Sequence, residues 1–237
     1  MNVVTERPRL VAELRSLGKR GGDPAAQHYI GSPYPVLGLT VPQMHGILAG
    51  FLKAHRDMSV REVNGLAAAM WKGPTTEEKS LAIGLLARRR KILDDASWRL
   101  ADSWVEEAIG WGLSDSLAAG PIAAMVYDRP ARFNAVLRWT KAKDIWRRRA
   151  STYSMHDLVL AKELDRPFRL LQRLLYDEEF WVQRAVGTWL RECWKRDTPR
   201  TEAFLRKHMK GLPKVVITVA TERAPKAFRE ELRRKRG

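Results

Sequence analysis

Three tryptophans separated by equal intervals of 35 residues place the strongest constraint on the fold of this chain. They are Trp111, Trp146 and Trp181. The last two have matching surroundings, "DIWRRRAS" and "EFWVQRAV". In both, an acid and an apolar residue precede Trp, and Arg and Ala are the third and fourth residues after it. The segment "PTTEEKSLAIG" is a degenerate earlier copy. A repeat of this length that is built from helix pairs is typical of an α-solenoid, so we predict an all-α solenoid fold.

Local signals along the chain also favour helices. Thr40 precedes Pro42 as an N-cap, and Ser59 with Glu62 forms a capping box before a helix that ends at Gly73. The β-branched run "VVITVAT" has strand propensity, but a single strand would have no partner, so we predict a helix there. Further helices are predicted near residues 98–109, 113–126, 129–141, 144–162, 166–175, 178–195, 199–209, 213–222 and 225–235.

The sequence shows no linker-like stretch, so we predict one domain over residues 1–237, with a basic tail at about 233–237 that frays. Stacked repeats of this kind bury one face and leave a concave groove. Arginines at equivalent repeat positions, Arg149 and Arg184, would line that groove, together with Arg148. The alternative for any single arginine is that it solvates the outside of a helix.

The charge of the chain indicates its class of partner. Lys and Arg number 43 against 27 acidic residues, which gives a formal net charge of +16. Such an excess points to a polyanion: DNA, RNA or an anionic membrane surface. Arginine suits phosphate better than lysine does, because its guanidinium makes bidentate contacts.

Several function classes lack their sequence signals. The five histidines show no metal-ligand spacing and Cys193 is the single cysteine, so we predict no metal site and no disulfide. The chain has no glycine-rich phosphate loop and no hydrolase motif, so no cofactor is expected. It has no apolar run of membrane-spanning length and no secretory signal, so we expect no membrane association and a location in the cytoplasm, at the nucleoid when the protein is bound to DNA. We also expect a monomer.

Five segments follow one another along the chain: "HYIGSPYPVLGLTVPQ", "MWKGPTTEEKSLAIGLL", "WGLSDSL", "DIWRRRAS" and "FWVQRAVGTWLRE". Their order and spacing resemble a known family, the AlkD-like DNA alkylation repair glycosylases, over about residues 8–225. The resemblance implies a single-domain α-solenoid of HEAT-like repeats that cuts the N-glycosidic bond of positively charged purines, such as N3-methyladenine and N7-methylguanine, in duplex DNA. It further implies that the protein grips the backbone around the lesion and has no pocket for a flipped base.

The resemblance also implies roles for individual residues. The family's catalytic aspartate falls on Asp115 and its first cleft tryptophan on Trp111. Its functional arginine falls on Arg149, a further backbone-contacting arginine on Arg191, and a tyrosine of the DNA-facing surface on Tyr29.

One family position differs in this chain. The family's second cleft tryptophan falls on Thr188, and Trp189 is the next residue. Neighbours on a helix differ by about 100° in direction, so Trp189 should not simply take its place. Thr188 and Trp189 are both candidates for the DNA-binding surface. This departure favours an alternative function, a non-catalytic DNA-binding repeat protein that recognises unusual or damaged DNA. A third hypothesis is an RNA-binding or protein-scaffolding repeat.

The residue types around Asp115 fit glycosidic cleavage. An alkylated purine already carries its positive charge, so a fixed carboxylate that stabilises the oxocarbenium-like sugar suffices without a general acid. Trp111 lies four residues before Asp115, so both would share a helix face. Gly110 and Gly112 would let a DNA backbone approach. The alternatives are an N-cap at residues 114–116 and an indole buried in the core.

Overall fold

The computed structural model describes residues 2–236, apart from the side chain of Arg236. Within this range the secondary structure is helical, without strands, so the all-α prediction is confirmed. Two short segments depart from α geometry, a tighter 3₁₀ segment at Arg90–Ile92 and a wider π segment at Ala118–Ile122. The α-helices are α1 Val3–Leu17, α2 Pro24–Ile30, α3 Val41–Ala54, α4 Val60–Trp71, α5 Thr76–Arg88, α6 Asp95–Ser103, α7 Trp111–Leu117, α8 Ala123–Asp128, α9 Ala131–Trp139, α10 Ile145–Tyr153, α11 His156–Leu160, α12 Asp165–Leu174, α13 Phe180–Arg196, α14 Thr198–His208, α15 Lys214–Ala220 and α16 Lys226–Arg236.

Six of these helices carry the predicted repeat. We call α3, α5, α7, α10, α13 and α15 the periodic helices, because their first residues are 41, 76, 111, 145, 180 and 214, at intervals of 34 or 35 residues. Each is followed by a partner helix. The three tryptophans of the sequence pattern lie in the first turns of α7, α10 and α13, so the 35-residue spacing marks where periodic helices begin.

Side-chain caps explain several of these starts. Thr40 and Gln43 form a reciprocal capping box at α3, and Ser59 and Glu62 form the predicted one at α4. At α10 the carboxylate of Asp144 accepts the backbone N–H of Arg147. Each cap satisfies N–H groups that have no partner within the helix, which contributes about 1 kcal/mol.

The chain divides into two compact units, one up to Met125 and one from Val126 onward. The first unit packs α1, α3 and α4 against α5, and its largely aliphatic core also holds the stacked rings of Trp71 and Trp104. In the second unit α13 is central, because Gly187 lets α15 approach closely: a Cβ at Gly187 would lie 2.7 Å from the Cβ of Val219. The prediction of a single domain stays a prediction.

Three local features can be compared with the sequence-based predictions, and two of them differ. Helix α2 was not predicted; Asp23 caps it and Gly31 ends it with a left-handed φ of +66°. The β-branched run after Lys214 is helical as predicted, because its apolar residues Val216 and Ile217 are buried against the unit. Helix α16 continues to Arg236, through the described part of the tail that was predicted to fray; Gly237 lies outside the described residues.

The single cysteine is part of the core. Cys193 is fully buried in α13, and this burial raises the pKa of its thiol to about 12. Because the thiolate is the reactive form, we expect Cys193 to resist a thiol reagent at pH 8 in the native protein and to react fully in denaturant. A colorimetric thiol titration under the two conditions measures this, and rapid labelling of the native chain would contradict it.

Candidate active site

Trp111 and Tyr29 form an aromatic pair at the start of α7. The indole Nε1 donates a hydrogen bond to the carbonyl oxygen of Tyr29 at 2.9 Å, and the rings meet edge to face with centroids 5.3 Å apart. Trp111 is half-buried, whereas Tyr29 is 71% exposed. The structure therefore brings together two residues that were predicted separately, and the core alternative for Trp111 accounts for only part of its surface.

Gly110 makes this pair possible. It is the N-cap of α7, has a φ of +90°, and a Cβ there would lie 2.6 Å from the carbonyl oxygen of Ile30 and 2.8 Å from that of Gly31. Close packing of the end of α2 thus requires a glycine here, and approach of a DNA backbone at Gly110 stays a prediction. At Gly112 an added Cβ would meet only the side chain of Ile30, at ordinary contact distances.

Asp115 is not a helix cap. Helix α7 begins at Trp111, four residues before Asp115, and no side chain caps it, so the alternative that placed an N-cap at residues 114–116 is wrong. The hydroxyl of Ser116 instead bonds back to the carbonyl of Gly112, and Ser114 is buried. Asp115 is half-buried, and its spacing of four residues places it on the same helix face as Trp111.

A π-turn begins three residues after Asp115. Residues Ala118–Ile122 form it around Pro121, which has no N–H to donate and whose ring would clash with the carbonyl of Leu117 in a regular helix. π-Turns inside helices occur frequently at functional sites. The sequence signal for this feature was Pro121 within the predicted helix 113–126.

A buried cation supports the segment that follows α2. The Nζ of Lys79 donates to the carbonyl of Trp71 at 2.7 Å and lies over the rings of Tyr34 and Trp71. Burial lowers the pKa of Lys79, and burial together with the nearby charge of Glu107 raises the pKa of Tyr34. The Tyr34 hydroxyl donates to the carbonyl of Glu107 at 2.8 Å, which ties the segment after Tyr29 to the loop before Trp111.

In the second unit, Arg148 forms an ion pair and hydrogen bonds with neighbouring residues of the protein. Its guanidinium pairs with Asp177, with Nε 2.7 Å from Oδ2, and donates to the carbonyls of Ala142 and Lys143. The side chain is 16% exposed. These contacts favour a role in holding α10 to its neighbours, and direct DNA contact by Arg148 stays an untested prediction.

Arg149 is buried beside aromatic rings. It is 5% exposed, donates to the carbonyl of Trp181 and to the hydroxyl of Tyr153 at 3.2 Å, and its guanidinium lies 5.0 Å from the centroid of the Tyr153 ring. Trp146 and Trp181 pack with ring centroids 6.2 Å apart. The repeated arginine of the sequence motif thus links one periodic helix to the first turn of the next.

Arg184, its equivalent on α13, is exposed and lies over the ring of Phe180, which is 48% exposed. Arg191 is 23% exposed, and its Nη1 forms a short ion pair with Glu222. Both guanidiniums reach the surface of the second unit, in contrast to the buried Arg149.

Thr188 and Trp189 point in different directions, as helical geometry predicted. Thr188 is half-buried, whereas Trp189 is 4% exposed and packs edge to face on Tyr153 and His156. The predicted DNA contact by Trp189 is therefore replaced by a core role. No ring takes the place of the family's second cleft tryptophan at Thr188.

Among residues 2–236, His, Cys, Asp and Glu side chains form no group of three or more that could hold a metal ion. None of the described helices is both long and apolar enough to cross a membrane.

Helix pairs in tandem define an all-α repeat protein, and Asp115 shares a helix face with Trp111 of a partly exposed aromatic pair in the first unit. The family model for the DNA alkylation repair enzyme matches residues 10–224, and the chain belongs to this family. No curated protein matches the sequence.

Solved structures share the fold. A predicted DNA alkylation repair enzyme from Enterococcus faecalis has a TM-score of 0.73 at 16% identity, over 85% of this chain and 93% of that one. AlkD2 from Streptococcus mutans has a TM-score of 0.62 at 16% identity, over 78% and 91% of the chains. The protein smu.31 from Streptococcus mutans UA159 has a TM-score of 0.59 at 16% identity, over 78% and 98%.

Proposed function

We propose that this protein is a monofunctional DNA glycosylase that releases positively charged N3- and N7-alkylated purines from duplex DNA. Membership of the DNA alkylation repair enzyme family supports a role in alkylation repair. The observation that carries the finer proposal is the position of Asp115, which lies within α7 rather than at its cap, on the face of Trp111 and next to a π-turn.

The chemistry needs one carboxylate and one aromatic wall. In the proposed reaction the bond between the sugar and the alkylated base breaks, the base leaves neutral, and positive charge develops on the sugar. Asp115 stabilises this charge and positions the water that attacks the anomeric carbon. The indole of Trp111, held by its bond to the Tyr29 carbonyl, contacts the cationic sugar or base, which contributes about 0.5–2 kcal/mol.

The arginines of the second unit divide into two roles. Arg184 and Arg191 reach the surface, so we assign them contacts with backbone phosphates. Arg149, which is nearly buried, holds the first turn of α13 and orients Trp181, and Arg148 fixes the segment around Asp177. The protein would act as a monomer in the cytoplasm, associated with DNA, and needs no cofactor in this mechanism.

A second candidate function follows from Thr188. The absence of a ring at this position favours a protein that binds damaged or unusual duplex DNA without cleaving it. Such a protein would show tight, salt-sensitive binding and no free base.

The proposal is tested with the wild-type protein and duplex DNA that carries N7-methylguanine or N3-methyladenine. Chromatography of the supernatant should show the free methylated base at a rate well above spontaneous depurination, and nothing from the unmodified duplex. Binding without release from either lesion would reject the glycosylase and support the second candidate.

Thr188 offers a direct probe of the cleft. Thr188→Trp restores the residue type that the resemblance implies, and a substituted protein that binds damaged duplex as the wild type does would show that the ring at this position does not decide DNA binding. The fold should tolerate the ring because Thr188 is half-buried.

A further inference from the structure

The end of the second unit contains a basic cleft that lies outside the predicted site. Its lining combines Lys214, Ile217 and Thr218 of α15 with Arg233 of α16, around a volume of about 470 Å³. Lys214, Thr218 and Arg233 are exposed. Two cations from different helices and one hydroxyl therefore face the same solvent-filled space.

Among the described residues, no carboxylate lines this cleft. The acidic residues of α16 are engaged elsewhere: Glu231 pairs with Arg206 and Lys235, and Glu230 lies 3.8 Å from Lys226. These contacts leave a positive charge at the cleft that its own lining does not neutralise. An ammonium, a guanidinium and a hydroxyl are donors that together suit a phosphate group.

The cleft belongs to the same unit as a residue that we assign to the DNA surface. Helix α15, which lines the cleft, packs directly on α13, which carries Arg191. Glu222, shortly after the end of α15, forms the ion pair with Arg191. Helix α15 therefore connects the cleft with the helix that carries Arg191.

We propose that Lys214, Thr218 and Arg233 form a phosphate-binding site that holds a backbone phosphate of duplex DNA in the stretch that flanks the lesion. This inference rests on duplex DNA as the partner in the proposed function, but not on base release. The site would lengthen the footprint of the protein on DNA and would contribute to affinity without taking part in the chemistry at Asp115.

The experiment measures the salt dependence of binding to an undamaged duplex of about 20 base pairs. Each neutralised phosphate of B-DNA contributes about 0.9 to the slope of log affinity against log salt. We expect the double variant Lys214→Gln with Arg233→Gln to lower the magnitude of that slope by about 1 and to weaken binding about 10-fold at low salt. Base release in single-turnover conditions at saturating protein should match that of the wild type.

Two neighbouring cations provide a matched control of equal charge. Lys210→Gln with Arg234→Gln removes two exposed positive charges next to the cleft residues but not from its lining. The control should leave the slope within about 0.3 of the wild-type value. An equal change of slope in both double variants would overturn the site, because it would reduce the effect to net charge.

The other outcomes also separate the alternatives. A slope change on duplex RNA with no change on DNA would overturn DNA as the occupant. A slope change on DNA in a protein that releases no base would support the cleft while rejecting the glycosylase, so the two failures are distinguishable.

Discussion

The Asp115→Asn variant is expected to release alkylated purines about 10²–10³-fold more slowly than the wild type. The amide keeps the size and shape of the side chain but removes the negative charge that stabilises the developing oxocarbenium ion, and losses of this size are typical when one preorganised electrostatic group is removed. Single-turnover release of N7-methylguanine from a duplex measures the rate. Binding to the same duplex should change little.

The stability of this variant separates catalysis from structure. Because α7 begins at Trp111 and Asp115 does not cap it, Asp115→Asn should leave the melting temperature within about 2 °C of the wild type. Ser116→Ala is the neighbouring control: its hydroxyl bonds only within α7, to the carbonyl of Gly112, so release should stay near the wild-type rate. Equal rates for Asp115→Asn and the wild type would remove Asp115 from the mechanism.

The Gly110→Ala variant is expected to lose about 3 kcal/mol of stability, which corresponds to a melting temperature lower by about 6–12 °C. Alanine is strained at a φ of +90°, and its Cβ would lie within 2.9 Å of backbone atoms at the end of α2. Because relief requires α2 to move away, the bond from Trp111 to Tyr29 should lengthen, and base release should fall together with stability.

Gly112→Ala is the control for this prediction. Gly112 lies within α7, and its added Cβ would meet the side chain of Ile30 at 3.6–3.8 Å, which is ordinary contact. Replacing a helical glycine with alanine stabilises by up to about 1 kcal/mol. Thermal unfolding of the two variants measures the contrast. Similar melting temperatures for Gly110→Ala and the wild type would contradict the close packing of α2 on α7.

The 35-residue tryptophan spacing predicted the architecture well because the repeat is a property of helix starts. The first turns of α7, α10 and α13 contain Trp111, Trp146 and Trp181, and earlier and later periodic helices keep the interval without a tryptophan. The β-branched run of α15 was also predicted correctly, because a single strand would have had no partner. Burial of its apolar face outweighs its strand propensity. Helix α2 was missed because a seven-residue helix carries too short a pattern to detect.

The roles of individual side chains were harder to predict, because sequence position does not report burial. Arg149 and Arg184 occupy equivalent places in the repeat, yet the first is 5% exposed and the second is exposed. Arg148 is drawn into a bond with Asp177, which lies 29 residues later. The helix boundary before Asp115 was also misjudged, because Gly110 starts α7 through its backbone conformation rather than through a side-chain cap.

The most direct test of the account compares two methylated guanines in otherwise identical duplexes. N7-methylguanine carries a positive charge and O6-methylguanine does not, so a protein that relies on Asp115 to stabilise the sugar cation, with no general acid for the leaving group, should release only the first. Release of N7-methylguanine alone is the result that the account predicts. Release of both bases at similar rates would contradict the mechanism, and release of neither would contradict the proposed activity itself.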